Sequence, residues 1–232
     1  AAVAVVDLDE RAVQETVRDI ESAGGKAAGY VTDVSREEQV ADTVRRVEER
    51  FGRIDILVNC AGIQRYGTVV DTSVELWDEV MNVNLKGVFL MCKHVIPVMR
   101  KQQGGAIVNI SSVQAFVTQK QVAAYTASKG AINALTRAMA VDHAAEGIRV
   151  NAICPASVDT PMLRWAAGLF GGDVEETVKS WGKAHPIGRV ARADEIAEAV
   201  LFLASDSSSF ITGSELKVDG GTTSMIAVAL PD

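Results

Sequence analysis

Histidine and cysteine are scarce here, and the few present are scattered. His94, His143 and His185, and Cys60, Cys92 and Cys154, are spread over 232 residues. None pair at metal-ligand spacing and no CxxC occurs, so no metal site is expected. An odd number of distant thiols excludes a disulfide framework and fits reduced cysteines in a cytoplasmic protein. Each cysteine has apolar neighbours, which points to core packing. Basic tracts are also lacking. With a formal charge of -7, the chain offers no footprint for nucleic acid and nothing to dock on an anionic membrane. No apolar run is long enough to cross a bilayer. The opening AAVAVVDLDE has neither a basic n-region nor a cleavage site, so it reads as a buried strand and not as a signal peptide. Repeats, linkers and low-complexity segments are absent as well, so residues 1–232 read as one domain.

What is present is alternation. Hydrophobic residues are 48% of the chain, enough for a sizeable core. AVAVVD (2–7) is a short apolar run of the kind a strand covered on both faces requires. Residues 9–23 have helical spacing and stop at Gly24-Gly25. Residues 27–35 form a second strand, with Ser35 and Glu38 spaced as a capping box for a helix over 36–51. Strands follow at 54–62, 105–112, 148–155 and 214–221. Helices are expected over 74–102, broken near Pro97, over 122–145 and over 193–204. The segment 156–190 is irregular, with Leu163, Trp165, Phe170 and Trp181 as apolar pieces, and is expected to act as a lid over a substrate. Strands alternating with helices imply βαβ units, right-handed crossovers and an α/β doubly wound parallel sheet of the Rossmann-like kind.

Four residues stand out against this frame. YTASK places Tyr125 and Lys129 four apart on one helix, hence on one face. Ser112 ends the strand GAIVNISS, and ligands in open α/β sheets bind at the carboxyl ends of strands. Asn84, in NVNLKG, lies in the helix that follows the preceding strand. Singly, each has an ordinary reading: a packed tyrosine, a capping serine, a polar mid-helix asparagine, a solvated lysine. Together, YTASK, LVNCAG, NVNLKG, NISS and IRVNAICP resemble the motifs of the short-chain dehydrogenase/reductase family in order and spacing along the whole chain.

The resemblance implies an NAD(P)-dependent oxidoreductase that interconverts a secondary alcohol and a ketone by hydride transfer. Tyr125 would be the acid-base. A free phenol has a pKa of about 10, too high for a base at neutral pH, and a neighbouring ammonium favours phenolate, so Lys129 is expected to lower it. Ser112 would steady the developing alkoxide. Lys129 would also bind the nicotinamide ribose, and Asn84 would hold a water in the proton path. Asp7, ending the first strand, is placed to bond the adenosine ribose 2′-OH and to repel a 2′-phosphate, so NAD is expected over NADP. Asp33 and Val34 resemble the pair that meets the adenine. Asn59, Ala61 and Gly62 would line the turn under the ribose, with Cys60 where the family more often has asparagine. Pro155, Val158 and Thr160 match the loop that meets the carboxamide. Ala156 stands where glycine is usual and would be strained at positive φ.

The family's TGxxxGxG turn, which cradles the pyrophosphate, has no counterpart in this sequence. The expectation is a longer natural chain with one more strand and helix. In the order 3-2-1-4-5-6 that strand is central, and a sheet lacking it has two unpaired edges and should not be stable as a monomer. Gln64 and Gln114, with Ser112 and Tyr125, are expected to line the substrate site. Phe116, Gln119 and Arg65 should lie nearby, and Arg164, Trp165 and His185 in the lid. This polar lining suits a sugar, polyol or small hydroxy acid. A 3-oxoacyl-carrier-protein reductase and a non-catalytic NAD-binding protein are the alternatives. Family members are commonly homotetramers, and the apolar MIAVAL (225–230) fits burial at such an interface.

Overall fold

The computed structural model describes residues 1–226. Six strands and eight α-helices alternate: β1 Ala2–Asp7, α1 Glu10–Ser22, β2 Lys26–Val31, α2 Glu37–Phe51, β3 Ile56–Asn59, α3 Val74–Met81, α4 Gly87–Lys101, β4 Gly105–Ile110, α5 Ala123–His143, β5 Ile148–Pro155, α6 Pro161–Leu169, α7 Val174–Gly182, α8 Ala193–Ala204 and β6 Glu215–Val218. Every strand pairing is parallel. Successive strand residues point to opposite faces, and at β4 and β5 both faces are covered. Ile107 on β4 packs with α2, α4 and α5, while its neighbour Val108 packs with α8. This is the Rossmann-like α/β arrangement expected from the alternation.

The sheet is in two pieces, β1-β2 and β3-β4-β5-β6. β1 and β3 each have a single strand neighbour, and Val3, Ile56 and Val58 on them are exposed. The pieces still share a core, because Ile54 packs both against the main cluster and against the cluster of Ala28, Tyr30 and Val47. The residues 227–230 of the apolar tail lie outside the described part; Met225 and Ile226 before them are exposed.

Local chemistry changes several expected boundaries. Ser35 does not cap α2. Its hydroxyl donates to the Asp33 carboxylate at 2.6 Å, a charge-assisted bond stronger than the cap it forgoes, and β2 stops at Val31. The cap of α1 goes to Asp9, which accepts from the N–H groups of Arg11 and Ala12. Gly24 then ends that helix at φ +81. α4 runs through Pro97 without a break. Pro97 and Lys93, the residue whose carbonyl loses its partner, are both exposed, while Val95, Ile96, Val98 and Met99 are buried on the other face. The freed carbonyl is on the solvent side, and the packing of the other face holds the axis. The interruption lies earlier, in a π-helical turn over Asn82–Lys86 that holds Asn84. The 156–190 segment is more regular than expected, since it forms α6 and α7.

Candidate active site

The carboxyl ends of the strands bring Asp7, Cys60, Ser112 and Pro155 to one edge of the fold. α5 delivers Tyr125 and Lys129 to the same edge, both buried. Ser112 is extended (φ -165, ψ 157) and its Oγ accepts the N–H of Gln114 at 3.1 Å, which fixes the hydroxyl at the end of the strand. The Ser112 hydroxyl lies near enough to Tyr125 to influence its phenol. Lys129 Nζ lies 5.4 Å from the centre of the Tyr125 ring and donates to the carbonyl of Ile110 at 2.8 Å. An ammonium has three N–H donors, and the Ile110 carbonyl is the single recorded acceptor for this one among the described residues. Two donors are therefore available to hydroxyl groups of a bound molecule.

Electrostatics differ from the expectation. Burial pushes the Tyr125 phenol up to about 12, and the nearby Ser112 hydroxyl pulls against it. Lys129 does not lower it. Burial instead drives the ammonium down to about 8, with Cys60 and Cys154 raising it. Taking charge out of water outweighs the attraction between two groups whose charged forms would support each other.

Asn84 is fully buried at the π-helical turn, and its amide is already engaged. Oδ1 accepts the N–H of Ile63 at 2.8 Å; Nδ2 donates to the Ile63 carbonyl at 2.9 Å and to Ser128 Oγ at 3.1 Å. It clamps the loop after β3. A side chain added at Gly62 in that loop would come within 3.4 Å of Asn84 Oδ1 and 3.8 Å of Lys129 Nζ, so the backbone there passes directly beside the buried lysine. Asn59 turns inward, donating to Asn109 at 2.8 Å, and leaves only its backbone toward the turn. Cys92 and Cys154 are core residues, but Cys60 is exposed on this edge, within electrostatic reach of both Lys129 and Asp7.

On the adenosine side, Asp7 is exposed, and one of its oxygens accepts the N–H of Asp9 at 2.9 Å. Its other oxygen is available to a hydroxyl. The Asp33 carboxyl is held below its ordinary range, first by the Ser35 hydroxyl. Val34 packs on Gly87 so closely that a Cβ there would lie 2.8 Å from it. At the other end, Pro155 closes β5, Val158 pairs with Ala191, and Thr160 caps α6 with Pro161 at its first turn. Ala156 is not among the described residues with positive φ, so the strain anticipated there is absent.

Of the residues expected to line the substrate site, Gln64 and Gln114 are partly buried. Gln114 accepts from Thr126 at 3.4 Å. An aromatic chain joins the loop after β3 to the segment of α6 and α7: Tyr66 packs on Trp165 (6.3 Å between centres) and Phe170 (5.6 Å), and Phe170 on Trp181 (6.1 Å). Tyr66 was invisible to sequence reasoning, because no spacing links it to residues a hundred positions away. Gly67 beside it pairs with Val122, three residues before Tyr125. Gln121, at φ +63, supplies the carbonyl that holds the Gly67 N–H at 2.7 Å.

These residues fit a nicotinamide dinucleotide: a free carboxylate oxygen at the adenosine end, small residues in the turn, and a buried ammonium with spare donors beside a phenol. A family model described as enoyl-(acyl carrier protein) reductase matches residues 1–223. The cis-4-hydroxycyclohexanecarboxylate dehydrogenase of Sinomonas cyclohexanicum is 42% identical over 226 residues, covering 97% of this chain and 88% of that protein. A solved gluconate 5-dehydrogenase from Burkholderia cenocepacia, in complex with NADP and tartrate, superposes with a TM-score of 0.89 at 36% identity, over 97% of this chain and 87% of that one. NAD⁺-bound xylitol dehydrogenase does so with a TM-score of 0.89 at 34% identity, over 95% and 88%. Fold and site together define an oxidoreductase that uses a nicotinamide cofactor. The chain belongs to the short-chain dehydrogenase/reductase family, and its relatives are alcohol dehydrogenases. Among the described residues, no helix is long and apolar enough to cross a membrane.

Proposed function

We propose that the protein is an NAD-dependent dehydrogenase that interconverts a small secondary alcohol and its ketone, acting in the cytoplasm as a homotetramer. The observation that carries this reading is the buried Ser112–Tyr125–Lys129 group at the carboxyl edge of the sheet. A bound nicotinamide would supply or accept the hydride at the substrate carbon. In ketone reduction, Tyr125 Oη gives its proton to the substrate oxygen. A phenol pushed up to about 12 is fully protonated at neutral pH and suits that role. Alcohol oxidation would run the same path in reverse and needs Tyr125 as phenolate, which burial disfavours and which the positive charge of a bound oxidised nicotinamide would favour. Ser112 Oγ donates to the substrate oxygen as charge develops on it. Lys129 holds the ribose hydroxyls with its two spare N–H groups. Asn84 keeps the loop after β3 in place beneath them, and the second lone pair of its Oδ1 would accept a water in the proton path.

Asp7 supports NAD as the cofactor, because its free oxygen can accept from a 2′-hydroxyl and repels a 2′-phosphate. Asp33, Val34, Ala61 and Gly62 would flank the adenosine half, and Pro155, Val158 and Thr160 the carboxamide. The partly polar wall of Gln64 and Gln114 supports a sugar, polyol or small hydroxy acid, the chemistry named in two of the relatives, the gluconate and xylitol dehydrogenases. The segment 156–190, with α6 and α7, would close over it. Tyr125→Phe tests the assignment. It should lower kcat by roughly 10²- to 10⁴-fold while NAD binding persists. Turnover within tenfold of the parent would remove Tyr125 as the acid-base.

A further inference from the structure

A single imidazole ties the lid to the loop after β5. His185 lies just beyond α7 and is buried. Its Nδ1 is 3.0 Å from the carbonyl oxygen of Trp181, the end of that helix. A carbonyl only accepts, so Nδ1 carries the proton. Nε2 is then the bare nitrogen, and it accepts the N–H of Ser157 at 3.2 Å. One neutral tautomer serves both contacts; the opposite tautomer serves neither.

Ser157 stands two residues past Pro155, between that residue and Val158. The outer side of this loop is laced to Ala191: the Ala191 N–H meets the Ser157 carbonyl at 2.9 Å, and the Asp159 N–H meets the Ala191 carbonyl at 2.8 Å. The N–H of Ser157 points the other way and depends on His185. Packing does not hold that side, because a cavity of about 120 Å³ lies there among Ser157, His185, Asp219 and Gly220. The residues after His185 are anchored separately, with the Ile187 N–H on the Gly220 carbonyl at 3.2 Å. The imidazole is therefore held from behind while it holds the loop in front.

We propose that His185 is a positioning residue. Its Nδ1–H tautomer fixes the 155–160 loop against the nicotinamide and couples that loop to the lid helix α7. The proposal rests on the reading of that loop as part of the cofactor pocket.

Three substitutions separate its two contacts. In His185→Gln the amide oxygen reaches the place of Nε2 and can still accept from Ser157. In His185→Asn the amide nitrogen takes the place of Nδ1 and keeps only Trp181. His185→Phe fills the space and keeps neither. Backbone hydrogen exchange over 156–160 is measured without cofactor, and the Kd for NAD by fluorescence titration. The Asn and Phe variants should exchange faster at Ser157 and bind NAD about tenfold more weakly, the scale of one buried N–H left without its acceptor. The Gln variant should stay within about threefold of the parent on both readouts, which a purely packing role would not produce. Equal behaviour of the Gln and Phe variants, unchanged loop exchange in the Phe variant, or faster exchange with unaltered NAD affinity would each overturn the proposal. The two readings fail separately. A parent that oxidises alcohols with NAD while the Phe variant matches it removes only the role of His185. A parent that binds neither NAD nor NADP removes the dehydrogenase reading and this proposal with it.

Discussion

Replacing Lys129 with methionine isolates the cost of the charge buried in the active site. Methionine has nearly the length of the lysine stem and no charge, so packing is largely kept. Burial lowers the ammonium from its ordinary 10.5 to about 8. At about 1.4 kcal/mol for each pH unit between those values, holding the charge at neutral pH costs the folded protein about 3 kcal/mol. The variant also loses the bond to the Ile110 carbonyl, worth about 1 kcal/mol, so a net gain of about 2 kcal/mol in stability is expected at pH 7. The pH dependence carries the sign. Between pH 8 and 10.5 the folded state binds fewer protons at this lysine than the unfolded chain does. The parent therefore gains stability from this group as pH rises through that window, and the variant has no such group. Tyr125 and Cys92, both pushed up to about 12 by burial, pull the other way at higher pH. They do so in both proteins. The diagnostic is thus the difference between parent and variant in urea unfolding at a series of pH values. The variant's advantage should fall by about 3 kcal/mol from pH 7 to 10.5, turning a gain of about 2 kcal/mol into a deficit of about 1 kcal/mol. A difference that does not change with pH, or a variant less stable than the parent at pH 7, would refute this account of the buried ammonium. Turnover should be lost in either case.

Two further outcomes test the cofactor side. Asp7→Ala should lower kcat/KM with NAD by about tenfold and leave NADP equal or better, since it removes one hydrogen bond to a hydroxyl and a repulsion toward a phosphate. A parent enzyme that prefers NADP would refute the role of Asp7. Gly87→Ala should cost about 1–3 kcal/mol of stability, because its Cβ would lie 2.8 Å from Val34. Adding Val34→Ala should recover most of that loss; strictly additive thermal shifts in the double variant would show that the two residues do not meet.

Periodicity and local chemistry carried much of this protein. Parallel strands covered on both faces need continuous apolar runs, and those runs located all six strands. Tyr125 and Lys129 were legible because four residues on a helix share a face whatever surrounds it. Ser112 was legible because a strand end is a local feature. What the residues do to one another was not legible. The pKa directions of Tyr125 and Lys129 follow from the water removed around them, and water is removed by the whole fold. The amide of Asn84 meets Ile63 and Ser128, 21 and 44 positions away. Asn59 turns inward because Asn109 on the adjacent strand accepts from it. The same limit hid the continuity of α4 at Pro97, which depends on solvent on one side and core on the other, and the meeting of Tyr66 with the lid. Sequence alone thus determined which elements form and which chemical groups they carry to the edge of the sheet. Tertiary structure alone decided protonation, orientation and partnership, because each depends on desolvation and hydrogen bonds between segments far apart in the chain.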